Sequence, residues 1–257
     1  SHAKQTLESA QSEKYDALCR KLQLNPSDHV LEIGCGWGGF AIYAAKKYGC
    51  KITGLTISQA QHDEAVHRVE KAQLQDRIEI RMEDYRDVKG RYDKIVSIEM
   101  LEAVGDKFLE TWCGKCNDIL TPEGLLGVQM ITVPDCDYAT LKRGADWIQK
   151  HIFPGSLLLS IDRMNTAMMR TGNLFLHNLE DIGSSYSRTL GEWYSNFNTN
   201  LDAVRALGFS ERFLRKWNYY LKYCQAAFAS RNISVVQGVY TRPANARTLT
   251  HESGLNL

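Results

Sequence analysis

The sequence predicts an α/β fold: a mostly parallel, seven-stranded sheet with helices on both faces and a helical cap. Three observations predict it. Short apolar runs alternate with stretches of helical periodicity. A glycine-rich turn, "GCGWGG", follows the first of those runs. The length of 257 residues, 44% of them hydrophobic, suffices for one full core.

Taken in order, residues 7 to 24 read as an amphipathic helix stopped by Asn25 and Pro26. "HVLEIG" is a strand leading through the glycine turn to the helix "FAIYAAKKYG", and "KITGLTI" a strand leading to "SQAQHDEAVHRVEKAQ". "RIEIRM" and "YDKIVSI" continue the strands. In "GDKFLETWCGKCNDILTPEG" the apolar residues recur at helical spacing, so a helix is expected to end near Pro122 and Gly124, before the strand "GLLGVQMITV". Residues 134 to 172 are less regular and read as a cap laid over the sheet. "LFLHNLEDIG" is a strand, "SRTLGEWYSNFNTNLDAVRALG" and "SERFLRKWNYYLKYCQAAFASRN" are helices, and "ISVVQGVYTRP" is a last strand expected to close one edge. Residues 244 to 257 are polar and expected to fray. The whole reads as a single domain, with 27 to 133 as the ligand-binding core. In such a sheet ligands sit at the carboxyl ends of the strands.

Composition narrows the function. With 31 basic and 30 acidic residues, no overall field points to nucleic acid or to an anionic surface. No apolar run approaches the ~20 residues that cross a bilayer, and the first residues lack a signal-peptide core, so a soluble, cytoplasmic chain is expected. Seven irregularly spaced cysteines fit reduced thiols. The pair in "WCGKC", Cys113 and Cys116, lies within a helical pattern, so neither redox nor metal chemistry is expected of it.

The glycines of "LEIGCGWGG" satisfy GxGxxG at Gly34, Gly36 and Gly39, and the alternating form at Gly34, Gly36 and Gly38. Either form lets a ligand approach backbone closely at a helix N-terminus. A dinucleotide site wants an acidic residue for the ribose about 20 residues on, yet the second strand ends in Gly54-Leu55-Thr56. Glu32, just before the loop, would repel a pyrophosphate but could pair with the ammonium of an amino-acid-bearing ligand. Those charges favour S-adenosylmethionine over NAD. Asp84 and Tyr85, in "EDYRD" at the end of the third strand, could then accept from an adenine amine and pack on the base.

Together "VLEIGCGWGGFAIYAAKKYG", "GLTISQAQ", "EDYRD", "YDKIVSIEMLEAVG", "HIFPG" and "YYLKYCQAAF" resemble, in order from about residue 7 to 243, the cyclopropane-fatty-acyl-phospholipid synthases and mycolic acid cyclopropane synthases. These are class I S-adenosylmethionine-dependent methyltransferases. "EAVG" makes the chain more similar to the plant-type branch. The resemblance implies a chemistry: a cis double bond of a phospholipid acyl chain attacks the cofactor's methyl group, and the carbocation loses a proton to bound bicarbonate as a ring closes. It implies cofactor binding by Gly34, Cys35, Gly36, Thr56, Ile57, Ser58 and Gln61, with Gly38 and Ile98 alongside. Bicarbonate would be held by Glu102, Tyr186, Gln129 and Ile131, the Gln standing where bacterial enzymes carry His. Gln can hydrogen-bond an anion but cannot carry a proton away. Phe153, Tyr220 and Cys224 are the expected acyl-chain lining. Glu99, three residues before Glu102, receives no role.

Two departures qualify the match. The family's Tyr-Ser-Cys segment, which joins the bicarbonate site, would precede the first residue, so the chain is expected to be a piece of a longer protein. "FPGSLLLS" replaces a Pro-containing loop with a greasier one that could dip into a bilayer. The expected enzyme is thus a peripheral membrane protein, with a homodimer left open. The alternatives are acyl-chain methylation without ring closure and a catalytically impaired cofactor-binding fragment.

Overall fold

The computed structural model describes residues 5–248. The first helix, α1 (Leu7–Lys21), is capped by the Thr6 hydroxyl, which accepts from the Ser9 amide. It is followed by β1 (His29–Ile33), α2 (Gly39–Tyr48), β2 (Lys51–Thr56), α3 (Gln59–Lys71), β3 (Ile78–Met82) and β4 (Tyr92–Ile98). Then come α4 (Leu101–Ile119), β5 (Leu120–Thr132), α5 (Asp135–Arg143), α6 (Trp147–His151) and α7 (Ile161–Thr171). The chain continues through β6 (Phe175–Asp181), a 3-10 turn at Gly183–Ser185, α8 (Tyr186–Thr199), α9 (Leu201–Ala206), α10 (Glu211–Ala229) and β7 (Ser234–Thr241).

The seven strands lie in the order β3-β2-β1-β4-β5-β7-β6, parallel except for β7, which runs antiparallel to both neighbours. From β1 the chain works outward to β3, then crosses back to β4. The carboxyl ends of β1 and β4 therefore flank the crevice where the winding reverses, the place such sheets bind ligands. Alternation along β1 sends Val30 to one face and Leu31 and Ile33 to the other. On the first face, α1 and α2 add Leu18, Leu22, Phe40 and Ala44; on the second, α4 and α7 add Trp112, Cys113, Met164 and Met168. A smaller cluster of Tyr186, Leu190, Leu221 and Phe228 joins α8 to α10. Asp16 ties α1 to α2, accepting from Lys47, Tyr43 and Tyr48.

Several sequence expectations change. The last strand is interior, and β6 forms the edge: β7 is buried along almost its whole length, whereas β6 is mostly exposed. The fifth strand starts at Leu120, before Pro122: Tyr92 of β4 pairs with Leu120 and Lys94 with Leu125, so the extra residues bulge out of β5. The long helix expected from Ser187 to Gly208 breaks at Asn200 into α8 and α9. In the loop "FPGSLLLS" residues 153–155 are exposed, while two of the leucines face inward. Leu157 and Leu159 are buried, Leu157 donates its amide to the Glu102 carbonyl, and Leu159 is bridged to Thr132. Most of the tail expected to fray, 249 to 257, lies outside the described residues.

Candidate active site

The turn after β1 is built for close backbone approach. Gly34, Gly36 and Gly38 all have positive φ (82°, 53° and 77°), and the amides of Gly34 and Cys35 donate to the Leu55 carbonyl of β2. A side chain at Gly34 would stand 2.6 Å from Met100 Cγ, whereas one at Gly36 would meet nothing within 4 Å. Gly36 therefore presents bare backbone to open space. Cys35 is buried, and burial pushes its thiol up to about 12. Glu32 is 2% exposed and lies beneath the loop. Its carboxyl accepts from the Ala41 amide in the first turn of α2, its Oε2 has no partner among the described residues, and burial raises its pKa well above the usual range.

At the end of β2 the Thr56 hydroxyl donates to Gln61 Oε1 (2.9 Å) and accepts from the Ser58 amide (3.2 Å), while Ser58 caps α3. Between them Ile57 is 76% exposed, an apolar side chain held at the strand's carboxyl end with nothing over it. After β3, Asp84 takes a two-point contact from the Arg86 guanidinium (2.6 and 3.0 Å), which holds its carboxyl below the usual range. Tyr85 is half-buried against the core. Thus Gly34 to Gly38, Thr56 to Gln61 and Asp84 with Tyr85 stand at the carboxyl ends of three neighbouring strands, with Ile98 at the end of β4 beside them.

The polar centre lies past β4. Glu99 has a left-handed backbone (φ 50°), and its amide donates to the Gln129 carbonyl. Its Oε1 accepts from the Tyr186 hydroxyl and from Gln129 Nε2 (2.5 Å), with Lys14 Nζ at 3.8 Å. Tyr186 also lies 3.0 Å from Gln129 Nε2. Burial, then Glu99, raises the Tyr186 phenol well above its ordinary value; burial lowers the Lys14 ammonium, against the pull of Glu99. Beside this cluster is a cavity of about 390 Å³ between α1 and α8, lined by Lys14, Ile98, Glu99, Tyr186, Trp193 and Gln237, among others.

The orientation of the Gln129 amide follows from its neighbours. Gln129 and Gln237 are register partners across β5 and β7, both fully buried. Lys21 Nζ, which can only donate, is 2.6 Å from Gln237 Oε1. Gln237 Nε2 must then face Gln129 Oε1 (3.0 Å) and the Lys14 carbonyl (3.1 Å). The Gln129 Nε2 is left to face Glu99 and Tyr186. A lysine on α1 thereby commits the Gln129 amide to donate into the site.

Glu102, whose charge still acts on the Tyr186 phenol, is on the first turn of α4, where Oε1 accepts from the Ile131 amide (2.6 Å) and Oε2 is buried without a partner among the described residues. Burial pushes its carboxyl up to about 7. Of the four residues expected to hold an anion, Gln129 and Tyr186 converge on Glu99, while Glu102 and Ile131 pair with each other. Phe153 and Tyr220 meet edge to face (5.8 Å), with Cys224 half-buried one turn beyond Tyr220 on α10, and Glu99 is among the charges that raise the Tyr220 phenol. Sequence reasoning missed Lys14, Lys21 and Gln237, and left Glu99 unassigned. A signal existed: Gln129 and Gln237 are polar residues inside apolar strands, and Lys14 and Lys21 stand seven apart on one helix face.

A sheet of this order, with a glycine turn after β1 and its polar site after β4, has the class I S-adenosylmethionine-dependent methyltransferase fold. The chain matches the family model for mycolic acid cyclopropane synthetase over residues 1–238 and belongs to that family. It is 37% identical over 236 residues to the cyclopropane-fatty-acyl-phospholipid synthase of Escherichia coli K12, covering 92% of this chain and 59% of that one. It is 36% identical over 241 residues to a "Probable fatty acid methyltransferase" of Pseudomonas putida, covering 93% and 61%. The chain thus spans about three-fifths of the length of these relatives. Among solved structures, a mycolic acid cyclopropane synthase complexed with SAH and CTAB superposes with a TM-score of 0.85 at 25% identity, covering 93% of this chain and 86% of that one.

Proposed function

We propose that this chain carries the S-adenosylmethionine-dependent part of an enzyme that adds a methylene group to the cis double bond of an unsaturated phospholipid acyl chain. The observation that carries the reading is the carboxylate cluster of Glu99, Gln129 and Tyr186 beside the glycine turn: Met100, next to Glu99, is the residue that a side chain at Gly34 would strike. A sulfonium methyl donor supplies the electrophilic carbon when bound. The open backbone at Gly36 and the uncovered Ile57 fit such a ligand, with Thr56, Ser58, Gln61 and Asp84 as its polar partners. Cyclopropanation needs a positioned base where the carbocation forms and a site from which water is excluded. Phe153, Tyr220 and Cys224 are the acyl-side surface, and the Tyr220 face would favour positive charge.

The acyl chain must come from a membrane. No helix among the described residues is long and apolar enough to cross one. Contact at the surface falls instead to the turn between α9 and α10, where Leu207 is 77% exposed and Phe209 45%, with Arg212 and Arg215 on the following helix. A second reading, methylation of the acyl chain without ring closure, is favoured by Gln129, which cannot relay a proton.

The test is incubation with methyl-labelled S-adenosylmethionine and vesicles of monounsaturated phosphatidylglycerol and phosphatidylethanolamine, followed by fatty-acid analysis. Saturated acyl chains one methylene longer, carrying a ring, are expected. A branched methyl product supports the second reading, and cofactor binding without any lipid product overturns both.

A further inference from the structure

We propose that the Glu99 carboxylate is itself the proton acceptor of this reaction, in place of a bound bicarbonate; this rests on the proposed lipid chemistry. Of the donors expected for a free anion, the Tyr186 hydroxyl and the Gln129 amide are spent on Glu99 and the Ile131 amide on Glu102. Glu99 Oε1 takes the Tyr186 hydroxyl and the Gln129 amide and has Lys14 Nζ at 3.8 Å. The Gln129 amide has no freedom to serve otherwise, because Lys21 and Gln237 fix its orientation from behind. With Oε1 saturated, Oε2 carries no hydrogen bond among the described residues, and Glu99 lines the cavity beside α1 and α8. One oxygen anchors the carboxylate and the other is free to receive a proton.

Position supports the role. Glu99 precedes α4, and its left-handed backbone sets the side chain over Gln129. Glu102 cannot take its place, since one oxygen is engaged by the Ile131 amide and the other is enclosed. Tyr186 and Gln129 approach only as donors, and Lys14, itself mostly buried, balances the charge.

The step balances. The alkene pair forms a bond to the methyl carbon as the carbon–sulfur bond breaks, its electrons staying on sulfur to give a thioether. The transferred carbon then gives a proton to Glu99 Oε2, and the released C–H pair closes the three-membered ring onto the cationic carbon. Glu99 later returns the proton to water through the cavity.

The experiment compares parent protein, Glu99→Gly and Glu99→Gln in carbon-dioxide-free buffer, with and without added bicarbonate, on the vesicles described above. Glycine suits φ 50°, so the backbone tolerates that change. Parent turnover is expected to be indifferent to bicarbonate. Both variants should lose at least ~100-fold, the ordinary worth of a positioned base. Bicarbonate should restore Glu99→Gly, where the space is vacated, and not Glu99→Gln, where an amide fills it. A separate measurement, broadening of the carbon-13 bicarbonate resonance, needs no lipid turnover: Glu99→Gly should bind the anion and the parent should not. A parent that binds or requires bicarbonate, or a Glu99→Gln variant that keeps turnover, overturns the proposal. A parent that gives no lipid product defeats the lipid chemistry instead, and the anion-binding contrast still decides whether Glu99 fills the anion's place.

Discussion

Replacing Glu102 by Gln should make the protein's stability less dependent on pH, and the size of the effect follows from where Glu102 sits. Its Oε1 accepts from Ile131, its Oε2 is enclosed without a partner among the described residues, and burial lifts its pKa from 4.5 to about 7. The native carboxyl therefore holds its proton more tightly than the unfolded one. Between about pH 4.5 and 7 the unfolded chain binds fewer protons, so the stability this group contributes is complete below that window, falls as pH rises through it, and is flat above it. At about 1.4 kcal/mol per pH unit the full window corresponds to about 3 kcal/mol, and residual solvent contact reduces this to about 2 kcal/mol. Glu102→Gln keeps an oxygen for the Ile131 amide and has no proton to lose. Urea unfolding of parent and variant at pH 5, 6, 7 and 8 should show the variant gaining on the parent by about 2 kcal/mol across the series. Other groups titrate alike in both proteins and cancel. Parallel curves would refute the assignment of a proton to the buried carboxyl. Cofactor affinity should stay near the parent value, since no cofactor contact is assigned to Glu102.

Lys21→Met removes the donor that sets the Gln237 and Gln129 amides. It should cost about 1–3 kcal/mol in urea unfolding, as a buried carbonyl oxygen loses its partner. It should also speed solvent exchange of the Gln129 amide protons, read by nitrogen-15 NMR; Lys21→Arg should restore both, and unchanged exchange in Lys21→Met would sink the orientation argument. Gly36→Ala and Gly34→Ala separate two kinds of glycine. Both carry left-handed strain of about 1 kcal/mol, but only the methyl group added by Gly34→Ala would also strike Met100. Thermal unfolding should therefore show the larger loss for Gly34→Ala, while S-adenosylhomocysteine titration should show an affinity loss of about tenfold or more for Gly36→Ala, whose new methyl group enters ligand space; full affinity there would move the cofactor away from this loop.

The parallel half of the sheet was legible because each strand there is an apolar run followed at once by a helix with its own period, so order and direction come from local pattern alone. The antiparallel end was not: whether β6 or β7 lies outermost depends on which strand has a partner on both edges, and β7 pairs with β5 and β6, both distant in sequence. The same distinction divides the site. Glycines and the Thr56 to Gln61 turn act through their own backbone and immediate neighbours, and their placement could be read directly. Glu99 and Glu102 stand three apart in the sequence, and the resemblance gives a role only to Glu102. Their directions differ because Glu99 is not helical: a left-handed residue precedes α4 and turns the first carboxylate toward Gln129, while the helix carries the second toward Ile131. What then makes Glu99 functional is contributed from afar, by Lys14 on α1, Gln129 on β5 and Tyr186 on α8. A carboxylate held by donors from three separate elements is anchored by the fold as a whole. A carboxylate held by backbone amides, as Glu102 is by the Ile131 amide, depends on one neighbouring strand, and burial alone suffices to raise its pKa.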